Sequence, residues 1–168
     1  MTWMIVVAVV TISVVSIQFF WQRSLNQIEK YPYREIKKIG DISIREYEER
    51  LFIAVTMNSS NYESSSKNGF KTLAGYIFGG NNENQKIAMT SPVSLSMDEN
   101  MTMSFMVPKE YNMDELPQPN DGRVKFIEKP KMRVAAIRFG GWASNEKLKM
   151  YREKLTLELN ALGIPHNG

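Results

Sequence analysis

Apolar and polar residues alternate along the chain with two different spacings, and two stretches have the spacing of an amphipathic helix. The first spans residues 70–78, and Gly79-Gly80-Asn81 is a typical helix-ending sequence. Its apolar face consists of Phe70, Leu73, Ile77 and Phe78. The second should begin at the capping residue Ser144 and end at Gly163 and Pro165. Its stripe consists of Leu148, Tyr151, Leu155, Leu159 and Leu162.

Five other stretches have alternating or β-branched residues and are predicted to be strands. They are residues 42–56, 86–97, 101–107, 124–127 and 133–139. A polar loop is predicted at 58–66 and a proline-rich loop at 108–122, since both segments are rich in turn-forming residues. The pattern therefore predicts an α+β fold with two helices.

The order of these elements suggests an internal duplication. A strand, a helix and two strands fill residues 41–107, and a strand and a helix recur from about residue 122. The second copy stops after its helix, where two strands would follow. We therefore expect a domain over residues 41–168 whose last C-terminal strands are missing or whose halves are unequal.

The N-terminal segment has a different pattern. Residues 3–21 contain no charged side chain and carry a Trp at each end. A helix of this length spans about 28 Å, close to the thickness of a bilayer core. A cleaved signal peptide fits less well, because a basic start and a small-residue cleavage site are missing. We predict a membrane anchor over residues 1–22, followed by a polar stalk at 23–40.

Charges flanking this segment predict its orientation. Five basic residues lie on its C-terminal side: Arg23, Lys30, Arg34, Lys37 and Lys38. The positive-inside rule then places the domain on the cytoplasmic side of a single-pass membrane protein.

Composition excludes several functions. The sequence has no cysteine, and its single histidine, His166, lies three residues from the C-terminus. Thiol chemistry, a Ser-His-Asp triad and a two-histidine metal site are therefore not expected.

The pI is about 9.0 but the net charge is only +3, and acidic and basic residues are interleaved. We therefore expect neither nucleic-acid binding nor a metal site, and we predict a binding protein rather than an enzyme.

Two segments resemble the SOUL haem-binding family. Residues 70–97, FKTLAGYIFGGNNENQKIAMTSPVSLSM, are similar to its F-x-x-L-x-x-Y-I-x-G-x-N and K-I-x-M-T-x-P-V signature. Residues 133–144, RVAAIRFGGWAS, resemble its strand-to-helix segment with a Phe-x-Gly turn. The opening strand, with Ile44-Arg45-Glu46-Tyr47, also fits. The resemblance covers about residues 39–163.

The resemblance implies a distorted antiparallel barrel-like sheet with two helices, built from two βαββ-type halves. It also implies non-covalent binding of haem or a free porphyrin against an apolar surface, with basic residues at the propionates. We predict no dedicated axial histidine, because His166 lies in a terminal tail. The candidate cofactor-binding residues are Phe70, Leu73, Ile77, Lys86, Met89, Met101 and Met103.

Each candidate also has a purely structural interpretation. Met89 and the Met101–Met103 stripe are more often ordinary core packing, and a lysine at a strand start such as Lys86 is more often simply solvated. Thr90 and Ser91 either donate hydrogen bonds to a ligand carboxylate or set the bend at Pro92. The leading hypothesis is a membrane-tethered tetrapyrrole carrier, buffer or scavenger. A sensor or scavenger of other amphipathic small molecules is the alternative, and a small-molecule hydrolase is a third.

Overall fold

The computed structural model describes Trp3 and residues 28–58, 61–97 and 100–167. No helix in these segments is long and apolar enough to cross a membrane. The predicted anchor lies outside the described residues, apart from Trp3.

Seven strands form two antiparallel sheets in the described part of the chain. The first sheet has the order β1-β2-β7 and contains β1 (Tyr33–Ile39), β2 (Ile42–Tyr47) and β7 (Met132–Ile137). The second has the order β4-β5-β3-β6 and contains β3 (Arg50–Met57), β4 (Ser94–Met97), β5 (Met101–Met106) and β6 (Lys125–Lys129). The helices are α1 (Tyr62–Ile77) and α2 (Asn145–Ala161), and one 3₁₀ turn spans Met113–Glu115.

The predicted α+β class with two helices is confirmed, but the strands do not close into one barrel-like sheet. The predicted strand 42–56 is divided at Glu48-Glu49, whose charged side chains stay exposed, and its halves belong to different sheets. β4 and β7 are edge strands in the described residues, which leaves the two sheets open toward each other on that side.

Strand and helix boundaries differ from the predicted ones in three places. β1 lies within the segment predicted to be a stalk, so part of that segment belongs to the first sheet. Only Ser94–Met97 of the predicted strand 86–97 pairs regularly, since Pro92 has no N–H to donate to a ladder. Helix α1 begins eight residues before Phe70, because the Asn61 side chain accepts a hydrogen bond from Ser64 N at 3.0 Å and caps it there.

Each helix covers one sheet. The α1 residues Leu73, Tyr76 and Ile77 pack on the second sheet, in a core that includes Ile53, Met103 and Phe105. Helix α2 lies against β7, and Leu159 is the single fully buried residue among its described positions. The α1 side of the molecule is therefore packed more tightly than the α2 side.

Candidate ligand-binding surface

The last turns of α1 carry apolar side chains on more than one side of the helix. Leu73 and Ile77 point into the core and are 0% and 3% exposed. Phe70 and Phe78 point outward and are 41% and 65% exposed. Because two large aromatic side chains remain substantially exposed here, this outer surface is a candidate binding site.

The segment 86–93 is held beside the end of α1. Ile87 N donates to Ile77 O at 2.9 Å, and Lys86 forms an isolated bridge with Phe78. The Thr90 hydroxyl donates to Met106 O at 2.6 Å and so fixes the segment to β5. Met89 is left 39% exposed and Lys86 is exposed. The Thr90 hydroxyl thus donates within the protein, which is neither of the two roles considered for it from the sequence.

Phe105 of β5 connects the helix to this segment. Its ring lies 5.4 Å from the Phe70 ring, and it lines a small cavity together with Ile77 and Met89. That cavity measures about 10 Å³, which is room for about one water molecule. This cavity is too small for a planar ligand, which at this end of α1 would have to bind on the outer surface. We call the exposed side chains Phe70, Phe78 and Met89 the platform.

Two lysines lie on the same side of α1 as the two phenylalanines of the platform. With 100° between successive helical residues, Lys67, Phe70, Lys71, Ala74 and Phe78 fall within about 100° of the α1 circumference. Lys67 and Lys71 are exposed, as is Lys86 beyond the helix end. Of these three lysines, only Lys86 is among the candidates predicted from the sequence. The spacing of Lys67 and Lys71 from Phe70 and Phe78 already indicates that they share one side of the helix.

The remaining predicted residues lie beneath the platform or away from it. Leu73 and Met103 belong to the core under α1 and are 0% and 3% exposed. Met101 is 3% exposed and pairs with Met57 and Met97 at the start of β5. The structure thus groups Phe70, Ile77 and Met89 around Phe105, places Leu73 and Met103 in the supporting core, and separates Met101 from them.

Asn81, the asparagine of the G-x-N signature quoted above, fixes the loop that follows α1. Its side chain is 1% exposed and donates to Tyr76 O at 3.2 Å and Gln85 O at 2.8 Å. The side-chain oxygen, Asn81 Oδ1, accepts hydrogen bonds from Glu83 N and Gln85 N at 3.2 and 3.0 Å. The loop leads directly into Lys86, so Asn81 determines where the platform ends.

Tyr76 anchors the same helix end from inside. Its hydroxyl donates to Pro117 O at 2.8 Å, and burial raises the pKa of Tyr76 to about 12. The phenol therefore stays protonated at neutral pH and serves as a donor that joins α1 to the loop before β6.

No histidine contributes to the platform. His166 lies near α2, on the side of the first sheet, with Nε2 3.2 Å from Asn160 Oδ1. The described residues contain no group of three or more His, Asp or Glu side chains that could hold a metal ion. A haem that fits this surface would be bound through its ring and its carboxylates, with the Met89 thioether as the soft side chain within the platform.

The fold and this surface define a class of protein, a small α+β domain with exposed apolar side chains and exposed lysines on one helix. The sequence profile described as SOUL heme-binding protein matches residues 28–168, and the chain belongs to this family. The match confirms the resemblance found in the sequence. It also begins at residue 28, before β1, within the segment predicted to be a stalk.

Three relatives show how the similarity is distributed. The chain is 27% identical to heme-binding protein 1 of Xenopus laevis over 119 residues, which are 66% of this chain and 62% of that protein. It is 28% identical to heme-binding protein 2 of Mus musculus and of Homo sapiens over 116 residues, which are 64% of this chain and 56% of each relative. The chain therefore spans 56–62% of the length of these relatives.

Proposed function

We propose that this protein binds haem or another tetrapyrrole non-covalently at the platform, and that it acts as a binding protein rather than an enzyme. The observation that carries the proposal is the exposure of three apolar side chains, Phe70 and Phe78 on the outer side of α1 and Met89 in the segment held beside its end. Relatives over 116–119 aligned residues are named for heme binding, which supports a planar tetrapyrrole as the ligand.

Apolar contact should supply most of the affinity. Each square ångström of apolar surface removed from water contributes about 25 cal/mol, so a ring lying on two aromatic side chains and a thioether gains several kcal/mol before the costs of binding. Lys67, Lys71 and Lys86 are exposed, and exposed ion pairs contribute about 0–1 kcal/mol each. The lysines should therefore orient the carboxylates more than they strengthen binding.

A haemin titration followed in the Soret region tests this assignment. The double variant Phe70→Ser, Met89→Ser should bind haemin about tenfold or more weakly than the unchanged chain. Leu157→Ser is the matched control, because Leu157 is 69% exposed on α2 and should leave haemin affinity within about twofold. Iron-free protoporphyrin should bind nearly as well as haemin, since no iron ligand is required.

The opposite pattern would contradict the proposal. If His166→Ala abolishes binding while the platform variant retains it, the ligand is held through its iron beside α2. If protoporphyrin fails to bind, contact with the ring alone is insufficient.

We further propose that residues 3–21 tether the domain to a membrane, with the domain on the cytoplasmic side, so that it acts as a carrier, buffer or scavenger where haem partitions into lipid. The uncharged, Trp-flanked sequence supports this tether. The full chain should remain with membranes after alkaline carbonate extraction, whereas Val10→Asp, Val14→Asp should be released. Release of the unchanged chain would refute the tether without affecting the platform.

A further inference from the structure

A groove of about 920 Å³ lies between α2, β7 and β4. This volume is within the range of about 300–1,000 Å³ that is typical of small-molecule sites. The groove lies where the first sheet and the second sheet each end in an edge strand, and α2 forms its outer wall. The platform, in contrast, lies beside α1 on the second sheet.

The groove is long, and apolar side chains from α2, β4 and β7 form part of its wall. Its α2 positions run from Asn145 to Leu159, which is about 21 Å along the helix axis. Leu148 and Leu155 face into it and are only partly buried, and Leu95 of β4 and Val134 of β7 lie on the opposite side. Since α2 fully buries one residue among its described positions, these side chains provide apolar surface that the described part of the chain leaves partly exposed.

The charged residues of the groove have one sign. Among the described residues that line it, Arg133, Lys149 and Arg152 are basic and none is acidic. Arg152 Nη2 donates a hydrogen bond to the Met97 carbonyl oxygen at 3.5 Å. On the same helix, Lys154 points elsewhere and pairs with Asp41 at 3.1 Å and Glu158 at 3.6 Å.

Arg133 also keeps most of its positive charge available. It lies 3.4 Å from Glu46, but that carboxylate is shared with Arg34 at 2.9 Å and Lys131 at 3.1 Å. The three cations and one carboxylate of this cluster carry a net charge of +2, and Arg133 is the member of the cluster that lines the groove. An anion that binds there gains from this net positive charge, and a cation is repelled.

We propose that the groove is a second ligand site, separate from the platform, which binds an amphipathic organic anion with an extended alkyl chain, namely a long-chain carboxylate. The chain lies along Leu95, Leu148 and Leu155, and the carboxylate is at Arg133 and Arg152. Groove length selects an extended chain, and the absence of acidic lining residues in the described part of the chain selects against lipophilic cations.

The test uses the full chain in a nonionic detergent at fixed concentration, with a dansylated undecanoate as the fluorescent probe. Decanoate should displace the probe. Decyltrimethylammonium, which has the same chain with the opposite charge, should not displace it at a tenfold higher concentration. If both compounds displace the probe equally, the site is merely apolar and the proposal is wrong.

Two matched pairs of variants locate the site. Arg152→Gln should weaken binding of the probe about fivefold to tenfold, whereas Lys154→Gln should change it less than twofold, because Lys154 pairs with Asp41 and Glu158 and does not line the groove. Leu155→Ser should weaken binding about tenfold, whereas Leu157→Ser should not, because Leu157 is 69% exposed. Equal effects within either pair would overturn the proposal, provided that thermal unfolding shows each variant to be folded.

Haemin distinguishes the two sites. Haemin should leave the probe bound, and Phe70→Ser, Met89→Ser should leave decanoate affinity unchanged. Stoichiometric displacement of the probe by haemin would overturn the claim of a separate site. Failure of decanoate to bind would leave the proposed tetrapyrrole binding at the platform unaffected, so the two proposals fail independently.

Discussion

Asn81 is a buried side chain that organises the candidate binding surface without being part of it. Both of its amide hydrogens and both lone pairs of its carbonyl oxygen are directed at backbone groups of residues 76–85. Only an amide can satisfy two carbonyl acceptors and two N–H donors at one position. The sequence Gly79-Gly80-Asn81 predicts the end of the helix. The four hydrogen bonds of the Asn81 side chain depend on how the loop folds back, which the local sequence does not indicate.

Asn81→Asp should therefore destabilise the protein by about 3 kcal/mol or more, even though the two side chains have nearly the same shape. The substitution removes two hydrogen bonds and places a negative oxygen against the carbonyl groups of Tyr76 and Gln85. Urea unfolding measures the effect. Asn82→Asp is the control, because Asn82 is exposed, and it should change stability by less than about 0.5 kcal/mol. Similar losses in both variants would contradict this role.

Exposure of individual apolar residues was the least predictable property of the site. Phe70, Leu73, Ile77 and Phe78 have a spacing that fits one helix face, yet the structure places Leu73 and Ile77 inside and Phe70 and Phe78 outside. The face that becomes buried depends on where β3 and β5 contact the helix, which the local spacing does not determine. Phe70 and Met89 therefore stay predictions as ligand contacts, now with an exposed surface to test.

Helices were easier to predict than strands. The Ser144 cap and the glycines after residue 78 are local signals, and the structure has Ser144 at the start of α2 and a positive φ of 109° at Gly79. The division between β2 and β3, in contrast, depends on pairing with β7 and β5, which are distant in sequence. The same is true of β1, a polar strand that pairs with β2.

Two glycines in α1 provide a test of helix packing. A Cβ at Gly69 would lie 3.0 Å from Met103 Cβ and 2.9 Å from Met57 Sδ, whereas a Cβ at Gly75 would meet nothing within 4 Å. Alanine is favoured over glycine in a helix by about 1 kcal/mol. We expect Gly75→Ala to stabilise the protein by up to that amount and Gly69→Ala to destabilise it by about 1–3 kcal/mol. Thermal unfolding measures both, and a stabilising Gly69→Ala would show that α1 packs less closely on β5.

At the scale of the whole molecule, each sheet carries one helix and each helix borders a different kind of surface. Helix α1 is firmly packed and leaves a small aromatic platform beside lysines. Helix α2 is loosely packed and borders a long groove lined by basic residues. The chain belongs to the SOUL heme-binding family. The central claim of the proposal is that it binds a tetrapyrrole at α1.

Hydrogen–deuterium exchange with and without haemin tests this claim most directly, because it locates the ligand without altering any residue. We predict slower exchange of amides in residues 70–78 and 86–93 when haemin is added, with no change along residues 145–159. Protection confined to residues 132–137 and 145–159 would contradict the account, because it would place the tetrapyrrole in the groove beside α2.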